Sequence, residues 1–336
     1  MNKLLHILII VVCFGCTNNP TEKHQNKRDK IVNVHEQVKG LNTGEVLIGS
    51  FPFLYVMNNY LFISDYRSLD KLIHIFDKKT FRHITSLAQR GQGPGELTNV
   101  GHIAINEPEG LFYVSDHGKQ CIFSYNLDSV LSNPSFMPEV KMIMNKTVFP
   151  DRYTYISDTL SIGIVIERIG GGKFNQSVGK CNMQTGNVSI MEYVHQGIDN
   201  KRIFYAVSKE HGIYVECHTY YDLMTICSLD GELKYNIYGK HWKNASRNRI
   251  SQYSKVIFCS DKIFALYSGE RDIIKNNNLI NSFSRFIVFD INGDYLKTIE
   301  TGFPIIDFCY DEKNNRIFMS LDDEIQFAYL ELDGLI

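Results

Sequence analysis

Short apolar runs bounded by turn residues recur along the chain at a nearly constant spacing. Leu61-Phe62-Ile63-Ser64-Asp65 is followed by Phe112-Tyr113-Val114-Ser115-Asp116, and similar runs return around Ile162, Tyr214, Phe264 and Phe318. These marker positions are separated by 50, 50, 52, 50 and 54 residues, which defines six units. A period of this length is the signature of a repeat architecture. Within the first unit the alternation predicts four strands, Phe53–Met57, Tyr60–Ser64, Leu72–Phe76 and Phe81–Leu87, with turn residues between them. Asp230-Gly231, Asn292-Gly293 and Asp333-Gly334 mark the corresponding hairpins in later units, because such turns need residues that accept positive φ. No segment of ten or more residues carries a helical period.

A four-stranded sheet of about fifty residues has two apolar faces and cannot bury both alone; sheets set radially bury them against each other. The expectation is an all-β fold, a six-bladed β-propeller of four-stranded antiparallel blades in a single domain over residues 31–336. The last unit runs out at Ile336, so its outermost strand is expected from the N-terminal side, within Lys30–Gln37 or Glu45–Ser50.

Composition narrows the function classes. The 336 residues are 44% hydrophobic with a net charge of -2, which excludes a mainly disordered chain and a general nucleic-acid binder. Leu4–Phe14 is apolar behind Lys3, too short to cross a bilayer and of the length of a secretory signal. It ends in Cys13-Phe14-Gly15-Cys16, which resembles the lipobox of bacterial lipoproteins. That resemblance implies a signal peptide over 1–15, acylation of Cys16 and membrane attachment through the lipid. Residues 16–30 are polar and read as a flexible tether. The cysteines Cys121, Cys181, Cys217, Cys227, Cys259 and Cys309 show no CxxC spacing and are expected as buried free thiols.

Leu61–Asp77, LFISDYRSLDKLIHIFD, and Leu111–Asn126, LFYVSDHGKQCIFSYN, resemble NHL repeats. Arg90-Gly91-Gln92-Gly93-Pro94-Gly95-Glu96-Leu97 is similar to a signature of TolB-like six-bladed β-propeller lipoproteins of Bacteroidetes. The resemblance implies the propeller fold and a cell-envelope location, expected at the outer membrane facing the periplasm. It implies no catalytic residue.

With strands A to D counted outward from the axis, B–C and D–A loops share one face, and A–B and C–D turns share the other. The longer loops, such as Gln89–Val100 and Ser268–Ser282, fall on the B–C/D–A face, which is therefore the expected binding face. It offers Asp65, Arg67, Arg90, Glu96, Asp116, His117, His218, Tyr220, Tyr221, Trp242 and Arg271 as ligand-binding candidates. Rings can stack on sugars, and Arg can hold a carboxylate through two parallel hydrogen bonds. Asp65 and Asp116 have the simpler use of accepting bonds from their own loops, and Arg90 and Glu96 could pair across their turn. Asp128-Ser129-Val130 and Asp158-Thr159-Leu160 resemble Bacteroidetes O-glycan acceptors, making Ser129 and Thr159 candidates on the second face, away from the expected site.

Two functions are carried forward. The favoured one is a non-catalytic binding or assembly module for a small polar molecule, glycan, peptide or protein. The alternative is a lyase or hydrolase with a divalent metal in the central funnel. No spacing singles out metal ligands or a catalytic residue.

Overall fold

The computed structural model describes residues 20–133, 135–240, 242, 251–268, 272–275, 278–281 and 284–336. Six sheets stand around an axis, in sequence order, each with its first strand innermost. The inner strands are Phe53–Met57, Val100–Asn106, Val148–Ser157, Ile203–Ser208, Tyr253–Cys259 and Ile305–Asp311. Six clusters of buried apolar side chains hold the ring together, each shared between two neighbouring blades. Phe62 of the first blade meets Phe112 of the second at 5.1 Å, and Phe286 of the fifth meets Phe308 of the sixth at 4.8 Å. This is the mutual burial that a lone sheet lacks.

The turns follow their chemistry. Gly231, Gly293 and Gly334 have φ of 95°, 80° and 75°, the left-handed region that the hairpins require. In the third blade the second and third strands, Leu160–Gly170 and Lys173–Cys181, run on as a long hairpin above the B–C/D–A face. The fifth blade carries a two-stranded insert, Asp272–Lys275 paired with Asn278–Asn281, between its second and third strands. One short helix, Leu127–Ser132, replaces a turn in the second blade, capped by Asn126.

The N-terminal segment departs from the expectation in two ways. Closure does come from the N-terminal side, but the strand is Lys39–Leu41, between the two expected stretches, paired antiparallel with Phe327–Glu331. The residues before it are not wholly a tether. Glu22–Gln25 adds a parallel fifth strand to the outer edge of blade four, and Ile31–Asn33 does the same on blade five. A strap therefore runs around blades four, five and six. Backbone bonds to open sheet edges hold it, and these need no apolar pattern.

Arg28 locks the strap between its first two strands. Its Nη1 donates to Asp222 Oδ1 at 2.8 Å and to the Tyr253 hydroxyl at 3.2 Å, and its guanidinium lies over the Phe289 ring at 5.4 Å. The side chains of Arg28 and Asp222 are 11% and 2% exposed. Burial works against the charged guanidinium, but Tyr253 and Asp222 outweigh it and push the Arg28 pKa up.

Candidate functional site

The inner strands each give a polar side chain or a large ring to the axis, and hydrogen bonds link successive blades around it. Lys255 donates to Asp307 at 2.6 Å, and Asp307 also accepts the Leu54 backbone N–H at 2.7 Å, joining blades five, six and one. His102 Nε2 lies 2.9 Å from the Tyr153 carbonyl and its Nδ1 lies 3.3 Å from the Tyr55 hydroxyl. A carbonyl only accepts, so Nε2 carries the proton and Nδ1 accepts from Tyr55. Thr154 and the Tyr205 hydroxyl, 3.3 Å apart, join blades three and four.

Burial, reinforced by Arg152 and Lys255, lowers the His102 pKa to about 3, so the imidazole is neutral. Burial also raises the Tyr55 and Tyr205 hydroxyls, which stay protonated. His102, Tyr55 and Tyr205 are thus neutral donors and acceptors, and Lys255 is paired with Asp307.

Tyr55, His102, Thr154, Tyr205 and Lys255 line a cavity of about 1090 Å³, with Asp307 behind Lys255. Its mouth is formed by A–B turn residues, among them Asn58, Asn59, Glu107, Lys209 and Lys313. The principal cavity therefore opens on the A–B/C–D face, opposite the face expected from loop length. On the B–C/D–A side, Phe53 and Phe204 come inward from blades one and four, with the Arg152 guanidinium over both rings, at 4.8 Å and 5.8 Å. Arg152 and Phe204 line both the large cavity and a pocket of about 220 Å³ on the far side. They form a partition, and the cavity is a funnel with an arginine at its floor.

The residues nominated from sequence lie elsewhere, mostly as braces of the loop face. Asp65 accepts from Gly49 N at 2.7 Å and from Arg67 and Ser68 N at 3.2 Å. Asp116 accepts four backbone N–H groups, from Thr98, Asn99, Gly118 and Lys119, at 2.8–3.1 Å. Each carboxylate ties its own B–C loop to the preceding D–A loop. Arg90 donates to the backbone carbonyls of Ser68 and Tyr66, while Glu96 accepts Gly93 N at 2.7 Å. They do not pair with each other, which corrects that expectation. The Glu96 carboxylate instead fills the space where a Gly91 side chain would begin. Arg67 lies over Phe51 at 4.5 Å on the surface.

His117 and Tyr220 line the two smaller pockets flanking the blade-three hairpin, with His117 Nε2 3.6 Å from Asp151. His218, nominated as a ligand contact, is buried; desolvation drives its pKa well below the ordinary value, and its ring meets Tyr221 edge-on at 6.3 Å. Trp242 packs on Tyr238 at 4.6 Å, at the outer edge of blade four and away from the funnel. Arg271 and Cys16 lie outside the described residues. Thr159 is exposed on the A–B turn of blade three, and Asp128, beside Ser129, lines the funnel mouth. A glycan at Ser129 would therefore stand on the open side of the funnel rather than away from it.

Arg152, Tyr55, His102, Tyr205, Lys255 and Asp307 escaped the sequence reading. The available signal was a polar or charged residue inside each unit's first strand, where both faces should be apolar.

A divalent metal needs several convergent ligands. Among the described residues no three His, Cys, Asp or Glu side chains converge, and the wall carboxylates Asp307 and Asp311 are occupied by Lys255, Lys78 and Arg316. These residues do not fit a metal-dependent lyase or hydrolase centre. All six cysteines among the described residues are buried and free, as their apolar surroundings predict. Burial pushes the Cys181 thiol up to about 11. No helix of the described residues is long and apolar enough to cross a membrane.

Over residues 19–157 the sequence matches the family DUF5128, a 6-bladed beta-propeller. No curated protein matches it. Among solved structures, it is similar to a member of the DUF4221 family from Bacteroides vulgatus, with 13% identity and a TM-score of 0.57, covering 87% of this chain and 94% of that one. A candidate exported protein from Bacteroides fragilis is 11% identical, with a TM-score of 0.52 over 92% of this chain and 98% of that one. A luciferin-regenerating enzyme is 11% identical, with a TM-score of 0.56 over 87% and 94%. Similarity at such identities concerns the fold. In topology and in these likenesses alike, the chain is an all-β six-bladed propeller.

Proposed function

We propose that this protein is a cell-envelope lipoprotein that binds a small polar organic molecule in its axial funnel and performs no chemistry on it. The observation that carries the reading is the funnel itself. A cavity of about 1090 Å³ is at the upper end of small-molecule sites, which are typically about 300–1,000 Å³ and mix rings with a few polar groups. Phe53, Tyr55, Phe204, Tyr205 and Phe258 supply the rings, and Thr154, His102 and the tyrosine hydroxyls supply the polar groups. On the inner wall the groups able to do acid–base work are committed elsewhere: His102 is neutral and bonded on both nitrogens, and Asp307 is ion-paired.

The lipobox-like Cys13–Cys16 and the apolar leader support export and acylation of Cys16. The strap's strands begin on the funnel-mouth side, because they run parallel to outer strands that start at C–D turns. Cys16 is six chain steps from Glu22, a reach of about 20 Å when extended. A lipid there would keep the mouth side close to the bilayer.

The test is a metabolite binding screen read by calorimetry, repeated with Tyr205→Trp, which narrows the funnel, and with Trp242→Ala on the outer edge. The reading expects hits that Tyr205→Trp weakens at least tenfold and Trp242→Ala leaves unchanged. Hits indifferent to Tyr205→Trp would place the ligand outside the funnel and defeat the reading.

A further inference from the structure

We infer that the funnel selects organic monocarboxylates, with the ligand entering from the A–B/C–D face and its carboxylate seated against Arg152. The inference rests on the funnel being the binding site and adds the ligand class. Its starting point is a charge imbalance. Of the ionised side chains that line the inner funnel, Lys255 pairs with Asp307 behind the wall at 2.6 Å and Lys78 pairs with Asp311 at 2.7 Å, while Arg316, which also bonds Asp311 at 3.0 Å, does not line the cavity. Arg152 makes no hydrogen bond or ion pair with any described residue. The nearest carboxylate in sequence, Asp151, lines the pockets beyond the partition, 3.6 Å from His117; its charge is felt at the Tyr55 and Tyr205 hydroxyls, but it makes no ion pair with Arg152.

Arg152 is also held. Its guanidinium carbon lies over the Phe53 and Phe204 rings at 4.8 Å and 5.8 Å, and its N–H groups remain for a partner. A guanidinium edge matches a carboxylate through two parallel hydrogen bonds. Holding the cation beforehand removes part of the ordering cost of binding, and the enclosed site strengthens the attraction relative to open water.

The number of charges chooses among anions. One uncompensated guanidinium balances a monoanion. A phosphate dianion at the floor calls for a second cation there or a nest of backbone N–H groups; Lys255 is already neutralised by Asp307, and Lys209 and Lys313 stand at the mouth. The volume above the floor requires more than a bare ion, and the rings and hydroxyls on the wall suit the body of an organic acid.

The probes are glucuronate, N-benzoylglycine and N-acetylphenylalanine, each paired with its amide, plus inorganic phosphate, measured by calorimetry on the full chain. The expected result is that at least one acid binds and that its amide binds at least tenfold more weakly. Arg152→Gln should abolish that difference, and Arg152→Lys should restore part of it. Phosphate is expected to compete no better than chloride at equal ionic strength. Equal binding of acid and amide overturns the carboxylate assignment while leaving the funnel reading intact. A preference that survives Arg152→Gln, or displacement of the acid by phosphate, also overturns it. If no acid or amide binds, the funnel reading falls as well. The acid–amide comparison uses the unaltered protein, so a misfolded variant would not blunt the test.

Discussion

Removing the Arg28 side chain should release the strap without dismantling the ring. Arg28→Ala takes the cation from a carboxylate that is 2% exposed. Removing one partner of a buried pair costs about 3–5 kcal/mol. Asp222 keeps the hydroxyls of Tyr253 and Tyr267, at 3.1 Å and 3.2 Å, which puts the loss near the lower end, at about 3 kcal/mol. Blades four and five each have four strands without the strap, so the loss should fall on local opening rather than on the global transition. About 3 kcal/mol is a factor of about 150 in an opening equilibrium.

Hydrogen exchange should therefore quicken about a hundredfold at Lys23–Gln25 and Ile31–Asn33, with the melting temperature lowered by a few degrees at most. A second readout is built in. The single tryptophan packs on Tyr238, which stacks on His24 of the strap at 4.7 Å, so Trp242 emission should shift when the strap leaves. Unchanged exchange in these two strands together with unchanged emission would refute the view that Arg28 locks the strap.

Three further outcomes are expected. Burial alone would raise the Asp311 carboxyl, but hydrogen bonds from Lys78, Asn314 and Arg316 outweigh it and hold its pKa below the ordinary 3.8. Its contribution to stability is thus present above that value and lost as pH falls through the depressed one, so urea midpoints of wild type and Asp311→Asn should converge below about pH 4; a constant gap would contradict this. Asp116→Ala leaves four backbone N–H groups without their acceptor and should cost about 3 kcal/mol in urea unfolding, with funnel binding retained. Ellman's reagent should modify no more than Cys13 and Cys16 in the native chain, and the six buried thiols only after denaturation; rapid labelling of a third thiol would contradict their burial.

The repeat was legible because its signals are local. Period-two alternation and turn residues mark Phe53–Met57 and Tyr60–Ser64 to the residue. The strap was not, since Glu22–Gln25 pairs through its backbone with an edge strand more than 200 residues away, and EKHQ carries the composition of a linker. Loop length pointed to the face opposite the cavity's mouth for a physical reason. The long D–A and B–C loops are braced by Asp65, Asp116 and Arg90 and serve to cover one end of the ring, while the short A–B turns leave the other end open. Arg152 was hidden because nothing in a single strand's pattern shows that two rings from blades one and four will meet its guanidinium.

The seam through Lys39–Leu41 also sets an order of events in folding. Lys39 and Glu331, bridged at 3.2 Å across that seam, stand 292 positions apart. Relative to a four-residue turn this is about six doublings of loop length, or about 4 kcal/mol of extra closure entropy. Every other blade can assemble from consecutive hairpins as soon as its own fifty residues are free. The sixth must wait for the final strand to appear and find a partner made near the beginning. The circle is thus completed last, and until then the chain is an open arc with apolar sheet faces exposed at both ends.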